Sequence, residues 1–509
     1  PLKLHSVLQP KGKGLAFKVT DGNLGEIQLE LEGDIDDLDK PLAVDARFDV
    51  GLPSIRFLEF MSPDLALPDL PFSASGQLVN EQAQTRFSGV KIGLGRGTAT
   101  IEGNIGYDES LDLVIQAQIP DASRLAEMTG LALPAELFSL KTHLQGNFGE
   151  LDFQDLDTRL GQGEVHGHLQ VGLGDVKRIA GRLDSSRLDL SWWVPEEEPT
   201  QETTDKPKSE WVFDETPVKD ISDLGVEIDL TLALAQVDLG NTILADVELG
   251  VLLGSKHLEL NPFSMRGTTG GEISGTVLID QREAAPSLDL NLQASDLRLG
   301  LLALEGQDIA TYPAIDIDLD IEGSGRTRRE MASSLNGKTR LFMGSGQIAS
   351  SGVSFLLSDF ITELFSMLNP LAETSEYTNL ECAVLAADIV SGQVEVSPVI
   401  FNTEQLTILS EGKVDLNTEK IDLSFHTKVR QGLGLSAGMI VNPLIKVGGR
   451  MISPAVELDP AGVVVKGGIA VATVGLSLVA RSMSDRFLSS KDPCGDARKE
   501  LEKRDSTPR

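Results

Sequence analysis

Apolar and polar residues alternate along much of this 509-residue chain. Residues 226–234 read Val-Glu-Ile-Asp-Leu-Thr-Leu-Ala-Leu, and residues 314–321 read Ala-Ile-Asp-Ile-Asp-Leu-Asp-Ile. Successive side chains of a β-strand point to opposite faces of the sheet, so this period predicts strands with one apolar and one polar face. Because antiparallel sheets commonly bury one face and expose the other, the pattern predicts antiparallel strands.

A glycine-centred unit recurs four times in the chain. In each copy a glycine lies between two short strands, and a strand of the Leu-Asp-Leu type follows. The irregular spacing between copies favours a growing antiparallel sheet over a solenoid with coils of constant length. The four pairs are Gly103 with Leu111-Asp-Leu113, Gly167 with Leu188-Asp-Leu190, Gly275 with Leu288-Asp-Leu290, and Gly412 with Ile421-Asp-Leu423.

The predicted fold is therefore mainly β: an elongated, curved antiparallel sheet that forms a groove or a sandwich, with a few short amphipathic helices. Aromatic residues make up only 5% of the chain, so its apolar surfaces must be aliphatic. With few helices to cover it, a long apolar sheet face must close on itself, pack on another sheet or hold a ligand.

Two helices are predicted by their residue patterns. Thr327-Arg-Arg-Glu330 is a capping box and Asn336-Gly337 a natural stop, so a short helix lies between them. Residues 353–369 carry apolar residues at three-four spacing and end before Pro370. This second helix either covers a sheet face or plugs a groove. Its candidate lipid-contact residues are Leu356, Phe360, Leu364 and Phe365.

A third apolar stretch lies near the C-terminus, at residues 467–488. Its longest apolar run covers residues 469–480, whereas a membrane-spanning helix needs about twenty residues, so no transmembrane helix is predicted. The stretch could lie on a membrane surface or pack on the last strands. On the membrane hypothesis, Val471, Val474 and Leu478 are contact residues.

One segment differs from the rest in composition. Residues 195–220 contain nine acids, three lysines and four prolines, which is typical of a solvated linker. We therefore predict a β-repeat region at 1–194, an acidic Pro-rich linker at 195–220, a β domain with helices at 221–490, and a polar tail at 491–509. Because the chain begins at Pro1 rather than Met, it is expected to be a fragment or a processed product.

The charge of the chain narrows the range of partners. Lys and Arg number 44 and Asp and Glu 77, which gives a net charge of −33. Nucleic-acid binding needs a basic surface, so this balance argues against it. It also argues against broad electrostatic docking on anionic lipid.

Candidate catalytic and metal-binding motifs are incomplete. Ser436 lies in a Gly-x-Ser-x-Gly pattern, but the nucleophile elbow needs a later histidine, and His426 is the last one. His166 and His168 share one strand face without a third ligand nearby, so a polar strand face is favoured over a metal site. Asp316-Ile-Asp-Ile-Asp320 begins like a calcium loop but lacks its glycine. These patterns predict a non-enzymatic protein without a cofactor.

Short motifs follow one another through the second half of the chain. They are Phe263-Ser-Met-Arg-Gly-Thr-Thr-Gly-Gly-Glu-Ile-Ser-Gly275, Ile321-Glu-Gly-Ser-Gly325, Ser334-Leu-Asn-Gly337, Gly346-Gln-Ile348, Cys382, Gly392-Gln-Val394, Gly448-Gly-Arg450, Ser453-Pro454 and Asp492-Pro-Cys494. In this order, from Leu224 onwards, they resemble the C-terminal region of the AsmA family of Gram-negative envelope proteins. The first 190 residues look like the preceding β-repeats of that family.

The resemblance implies a periplasmic protein, held in the inner membrane by an N-terminal segment absent from this chain, with a role in outer-membrane lipid homeostasis. Larger AsmA-like proteins look like bridge-like lipid transfer proteins with an apolar groove. The expected function is therefore to bind or conduct phospholipid acyl chains along a β-groove between inner and outer membrane. The alternative is a scaffold that modulates outer-membrane protein assembly through contacts with envelope proteins. An enzyme acting on polysaccharide is the least favoured.

A disulfide between Cys382 and Cys494 is a further expectation. These are the only two cysteines, and the periplasm implied by the resemblance is oxidising. The alternative is two separate reduced thiols, because one sequence does not show that two residues approach each other.

Overall fold

The protein is mainly β-structure, as the alternation predicts, and its sheet is open. The computed structural model describes residues 2–24, 26–38, 44–61, 67–81, 83–126, 132–193, 211–240, 243–267, 270–298, 311–349, 377–404, 406–430, 445–458 and 486–506. The chain divides into two compact units. Unit 1 contains Pro1–Pro199 and Leu224–Ser255, and unit 2 contains Thr200–Asp223 and Lys256–Arg509. Unit 1 thus includes β-structure from both sides of the acidic segment, since residues 224–255 belong to it.

Unit 1 is built from fifteen described strands. Short 3-10 helices in its connections span Ile55–Met61 and Ala122–Leu125, and another spans Ile221–Leu224. The strands are β1 Leu2–Lys11, β2 Gly14–Leu24, β3 Ile27–Ile35, β4 Val44–Leu52, β5 Phe72–Glu81, β6 Gln84–Leu94, β7 Gly97–Gly106, β8 Ser110–Ile119, β9 Phe138–Asn147, β10 Glu150–Leu160, β11 Gly163–Gly172, β12 Lys177–Ser185, β13 Leu188–Asp189, β14 Val226–Asp238 and β15 Ile243–Gly254.

Neighbouring strands of unit 1 pair in chain order and antiparallel from β1 to β12. The prediction of antiparallel pairing is wrong at one place: β12 and β13 both pair parallel with β14. Parallel neighbours run in the same direction, so the chain must return from the end of β12 to the other end of the sheet before β14 begins. The acidic segment is part of this long connection.

Unit 2 contains the remaining described strands and two helices. The strands are β16 His257–Gly267, β17 Glu272–Asp280, β18 Ser287–Leu297, β19 Ile315–Ser324, β20 Asn336–Met343, β21 Gly346–Ala349, β22 Tyr377–Val390, β23 Gln393–Thr403, β24 Leu406–Asp415, β25 Lys420–Val429, β26 Ile445–Arg450 and β27 Ser453–Leu458, and the helices are α1 Arg328–Ser334 and α2 Pro493–Asp505. The described strands pair antiparallel in chain order, and β20 and β21 both pair with β22.

The four recurring glycines share one structural role. Each lies opposite a bulge in the preceding strand, and a Cβ built on it would come within 2.2 Å of a carbonyl oxygen on the following strand. Only glycine permits this approach, and bulges bend and twist a strand. The glycine–carbonyl pairs are Gly103 with Asp112, Gly167 with Arg182, Gly275 with Asn291, and Gly412 with Asp422.

The second copy of this unit differs from the predicted one. Gly167 pairs with Leu183 of β12, so the strand that follows the glycine is β12. Leu188-Asp-Leu190 was expected in that position, but Leu188 and Asp189 instead form the short parallel strand β13. The Leu-Asp-Leu pattern alone does not distinguish these two positions.

The capping box of α1 is confirmed. The Thr327 hydroxyl accepts a hydrogen bond from the Glu330 N–H at 3.2 Å, which satisfies a free donor at the start of the helix. The Glu330 carboxylate accepts from the N–H of Arg326 at 2.8 Å rather than from that of Thr327. The predicted helix at 353–369 lies outside the described residues, as does most of the stretch at 467–488.

The C-terminal residues form a packed helix, where a polar tail was predicted. Asp492 caps α2 by accepting from the N–H of Gly495 at 2.9 Å. Acidic Asp496 lies in the first turn and basic Lys503 and Arg504 in the last, which suits the helix dipole. Its apolar stripe is short and was hidden by charged neighbours; the buried residues are Pro493, Cys494, Ala497 and Leu501.

Residues 211–221 belong to unit 2 and form a strap that packs on the rest of that unit, where a solvated linker was expected. The Phe213 N–H donates to the fully buried Glu419 carboxylate at 2.6 Å. The buried Gln281 side chain donates to the carbonyl of Lys219 at 2.9 Å and accepts from the N–H of Ile221 at 2.8 Å. The strap therefore has a fixed path, because its backbone hydrogen bonds are met by buried side chains.

Candidate functional site

The candidate site in unit 1 is the apolar face of its sheet. The strand registers align Leu113 with Leu144, Leu144 with Phe153, and Phe153 with Leu169, which forms an apolar row across β8 to β11. Side chains directly opposite each other on neighbouring strands are in contact distance. The packed residues of this region are Leu111, Leu113, Leu144, Ile101, Ile105, Ile115, Leu151 and Phe153.

Charged side chains are excluded from this face over a wide area. Among the paired residues of β3 to β11, the registers place no Asp, Glu, Lys or Arg on it outside the bulges. Its apolar positions on β8 run from Leu111 to Ile119, which is about 27 Å at about 3.4 Å per residue. The alternation in the sequence thus becomes a continuous apolar surface, because the registers keep all apolar positions in phase.

The opposite face of unit 1 is polar. His143 on β9 lies 2.5 Å from the Asp112 carboxylate, and His168 on β11 lies 2.6 Å from that of Asp152. His166 also lies on this face, 3.5 Å from Asp157. Among the described residues, no group of three or more His, Cys, Asp or Glu side chains could hold a metal ion.

Unit 2 has an apolar face of the same kind. The registers align Ile317 with Leu341, Leu341 with Leu385, and Leu385 with Val399 across β19 to β23. From β17 to β25, the paired residues on this face include no charged side chain. Asp316, Asp318 and Asp320 alternate with the apolar residues of β19. They are on the polar face, as the alternation predicts.

Helix α2 packs on the opposite face from this apolar surface. Val384, Ile400 and Leu409 are aligned with Phe342 and Asp316, so they belong to the side that carries the aspartates. These three side chains are buried under α2. The cluster consists of Val384, Ala386, Ile400, Leu409, Phe487, Cys494, Ala497 and Leu501. Strands β22 to β24 therefore carry apolar residues on both faces.

A disulfide and an ion-pair cluster fasten α2 to the sheet. Cys494 in the first turn is bonded to Cys382 of β22, with Cα atoms 6.4 Å apart. At the other end, the Arg340 guanidinium donates to Asp505 at 2.9 Å and to Asp388 at 2.7 Å. Burial opposes the charge of Arg340, but the hydrogen bonds from Arg340 to these two carboxylates outweigh it and raise its pKa.

Sequence reasoning did not identify this cluster or the strap. One signal was available: Leu380-Glu-Cys-Ala-Val-Leu-Ala-Ala387 is nearly continuous in apolar residues, which is typical of a strand buried on both faces. The charged partners of Arg340 lie 48 and 165 residues away, and no local pattern pairs them. The predicted contact residues Leu356, Phe360, Leu364, Phe365, Val471, Val474 and Leu478 lie outside the described part of the chain.

The fold and the candidate site together define a protein with an open β-sheet, one face of which is apolar over most of its strands. Residues 192–399 match the model of the AsmA family, which supports the resemblance of the motifs in this part of the chain to that family. The match also covers the acidic segment and the strap. No curated protein and no solved structure matches the chain. None of the helices in the described part of the chain is both long and apolar enough to span a membrane.

Proposed function

We propose that the apolar sheet faces of both units bind the acyl chains of phospholipid, and that the protein acts without catalysis. The observation that carries this proposal is the absence of charged side chains from the apolar face of β3 to β11, outside the bulges, and from that of β17 to β25, at the paired positions of the described residues. Each CH₂ group removed from water contributes about 0.8 kcal/mol, so a long aliphatic surface suits a long acyl chain.

The proposed setting is the envelope of a Gram-negative bacterium, where the protein carries lipid between inner and outer membrane. The AsmA-family match over residues 192–399 supports an envelope role in lipid or protein assembly. The periplasm and an inner-membrane anchor are further parts of the proposal. The disulfide between Cys382 and Cys494 is compatible with an oxidising compartment.

The proposal is tested by paired substitutions on the two faces of one strand. Ile115 lies on the apolar face of β8, and Val114 lies on the polar face, where it is 42% exposed. Ile115→Asn and Val114→Asn remove β-branched side chains from the same strand, so their effects on strand propensity are matched. In unit 2, Val277→Asn and Thr276→Asn form the corresponding pair on β17.

The readouts are mass spectrometry of co-purified lipid and uptake of a labelled phospholipid by delipidated protein. We expect Ile115→Asn and Val277→Asn to reduce lipid content several-fold, while Val114→Asn and Thr276→Asn leave it unchanged. Folded wild-type protein that neither contains lipid nor takes it up would overturn the proposal. That result would favour the alternative of a protein scaffold.

A further inference from the structure

Three neighbouring hairpin turns, which join the strands of unit 1 at the same ends, carry exposed apolar side chains. Tyr107 lies between β7 and β8, Phe148 between β9 and β10, and Leu173 and Val176 between β11 and β12. All four are 50–58% exposed. We call them the apolar turn row.

The turns of this row adjoin one another. Asn147, beside Phe148, pairs with Ser110 at the start of β8. The Leu173 N–H donates to the carbonyl of Gly149 at 2.8 Å, which joins the second turn to the third. Each hairpin occupies two strands, so successive turns are about 10 Å apart. The four side chains thus form one line and are not scattered single residues.

Turn geometry does not require apolar residues at these positions. Polar residues beside them form the turns: the Asn147 side-chain oxygen accepts hydrogen bonds from the N–H groups of Gly149 and Glu150, and the Asp108 carboxylate accepts one from the N–H of Ser110. The two-residue turns at the opposite edge of the same strands are Gly95-Arg96 and Gly161-Gln162, which pair glycine with a polar residue. The Tyr107 hydroxyl donates a hydrogen bond to the Asn80 side chain, but this contact does not account for the apolar side chains of Phe148, Leu173 and Val176 at the same strand ends. Exposed apolar side chains grouped in this way mark interaction sites.

The charges around the row indicate the chemistry of what it contacts. The three turns contain three exposed carboxylates, Asp108, Glu109 and Asp175, and no Lys or Arg, and the exposed Glu150 follows at the start of β10. Lys177 and Arg178 follow at the start of β12, so the surface keeps a net charge of about −2. Two copies of this acidic surface would repel each other, and carboxylates beside the tips disfavour insertion into anionic lipid.

We infer that the apolar turn row docks a protein partner whose surface presents apolar pockets bordered by Lys or Arg side chains. Aromatic anchors such as Tyr107 and Phe148 contribute strongly when they are buried in a partner's pockets. The surrounding carboxylates would pair with the basic border, setting orientation and association rate. This interaction is independent of lipid binding on the sheet face, because the row lies at the strand ends.

The test is site-specific photo-crosslinking of the full-length chain in the cells that make it. A photoreactive amino acid is placed at Phe148, and in the control at Gln162 in a turn of the opposite edge. We expect one protein adduct from position 148 and none from position 162. Leu173→Ser with Val176→Ser, and separately Glu150→Lys with Asp175→Lys, should each reduce the adduct at least five-fold. All of these residues are exposed, so circular dichroism and melting should stay unchanged.

Three results would overturn the inference. The first is equal crosslinking from positions 148 and 162. The second is an adduct that neither the serine pair nor the lysine pair reduces, because chance proximity would not depend on these side chains. The third is flotation of the purified chain with phosphatidylcholine vesicles that is lost in the serine pair, since the row would then contact a membrane.

Discussion

Arg340 on β20 and Asp388 on β22 form an ion pair at 2.7 Å, and the Arg340 side chain is only 3% exposed. Asp505 at the end of α2 supplies the second carboxylate, at 2.9 Å. A buried guanidinium needs such partners, because leaving a charge buried without compensation is costly. The docked position of the C-terminal helix therefore depends on satisfying one arginine of the sheet.

Asp505→Asn tests this dependence. The change keeps the shape of the side chain but removes one of the two charges facing Arg340, and we expect unfolding to become easier by about 1–3 kcal/mol. Urea unfolding of the oxidised protein measures it. Glu502→Gln removes a charge from the same helix at an exposed position and should change the midpoint very little. Equal effects of both variants would show that Asp505 acts only through the overall charge of the helix.

The pH dependence of stability follows from the same contact. Burial alone would raise the pKa of Asp505, but its hydrogen bonds with Arg340 outweigh burial, so the pKa lies below its ordinary value of 3.8. A lowered pKa in the folded state gives stability that is present above pH 3.8 and is lost as the pH falls below it. Between pH 5 and pH 3, the urea midpoint of wild-type protein should therefore fall more than that of Asp505→Asn. Parallel curves would contradict this explanation.

The Cys382–Cys494 disulfide should stabilise the C-terminal part of unit 2. It closes a loop over a sequence separation of 112 residues, for which chain entropy gives about 4.7 kcal/mol as an upper value. Cys382→Ser with Cys494→Ser should lower the melting temperature as much as reduction does, and reduction should not affect the double variant. Thiol counting on denatured protein that was purified without a reducing agent should find no free thiol. Two free thiols per chain would show that the disulfide does not form.

Gly103→Ala should be more harmful than Gly89→Ala. Both glycines have positive φ, at 135° and 58°, so alanine is strained at each. A Cβ on Gly103 would also lie 2.0 Å from the carbonyl oxygen of Asp112, whereas one on Gly89 meets nothing within 4 Å. We expect about 1 kcal/mol for Gly89→Ala and at least twice that for Gly103→Ala, measured by thermal unfolding. Similar losses would mean that β7 and β8 can move apart at little cost.

Trp211 should anchor the strap to unit 2. The guanidinium groups of Arg329 and Arg450 lie 3.6 and 3.7 Å from its ring centroid. Trp211→Ala removes both cation–π contacts, and we expect a loss of about 1–3 kcal/mol in unit 2. Trp193, which is 64% exposed and stacks on Trp192 with ring centroids 5.9 Å apart, provides the control, since Trp193→Ala removes no cation–π contact and should cost about 1 kcal/mol or less. Unfolding followed by circular dichroism distinguishes the two variants, and equal stability of both would rule out the anchor.

Local patterns were sufficient to predict the strands and their two faces. The alternation around Asp316, Asp318 and Asp320 placed these aspartates correctly on the polar face, because side-chain direction in a strand depends only on position along it. The capping box at Thr327 was equally local. The four recurring glycines were visible as a repeat in the sequence. The reason that each position needs glycine was not visible, because it is the close approach of a carbonyl group on the next strand.

Pairings between distant segments were decided by the tertiary structure alone. Nothing in the acidic segment shows that β14 will pair parallel with β12, or that Phe213 will donate to Glu419, 206 residues further on. The sequence of α2 reads as polar, and its few apolar residues are buried only because β22 to β24 present apolar side chains on their second face. The one-sided strands were thus determined by sequence, since each side chain needs only its neighbours to set its face. The positions of the parallel strand, the strap and the docked helix were determined by contacts between distant segments. These contacts pair buried charges and cover apolar surface at the same time.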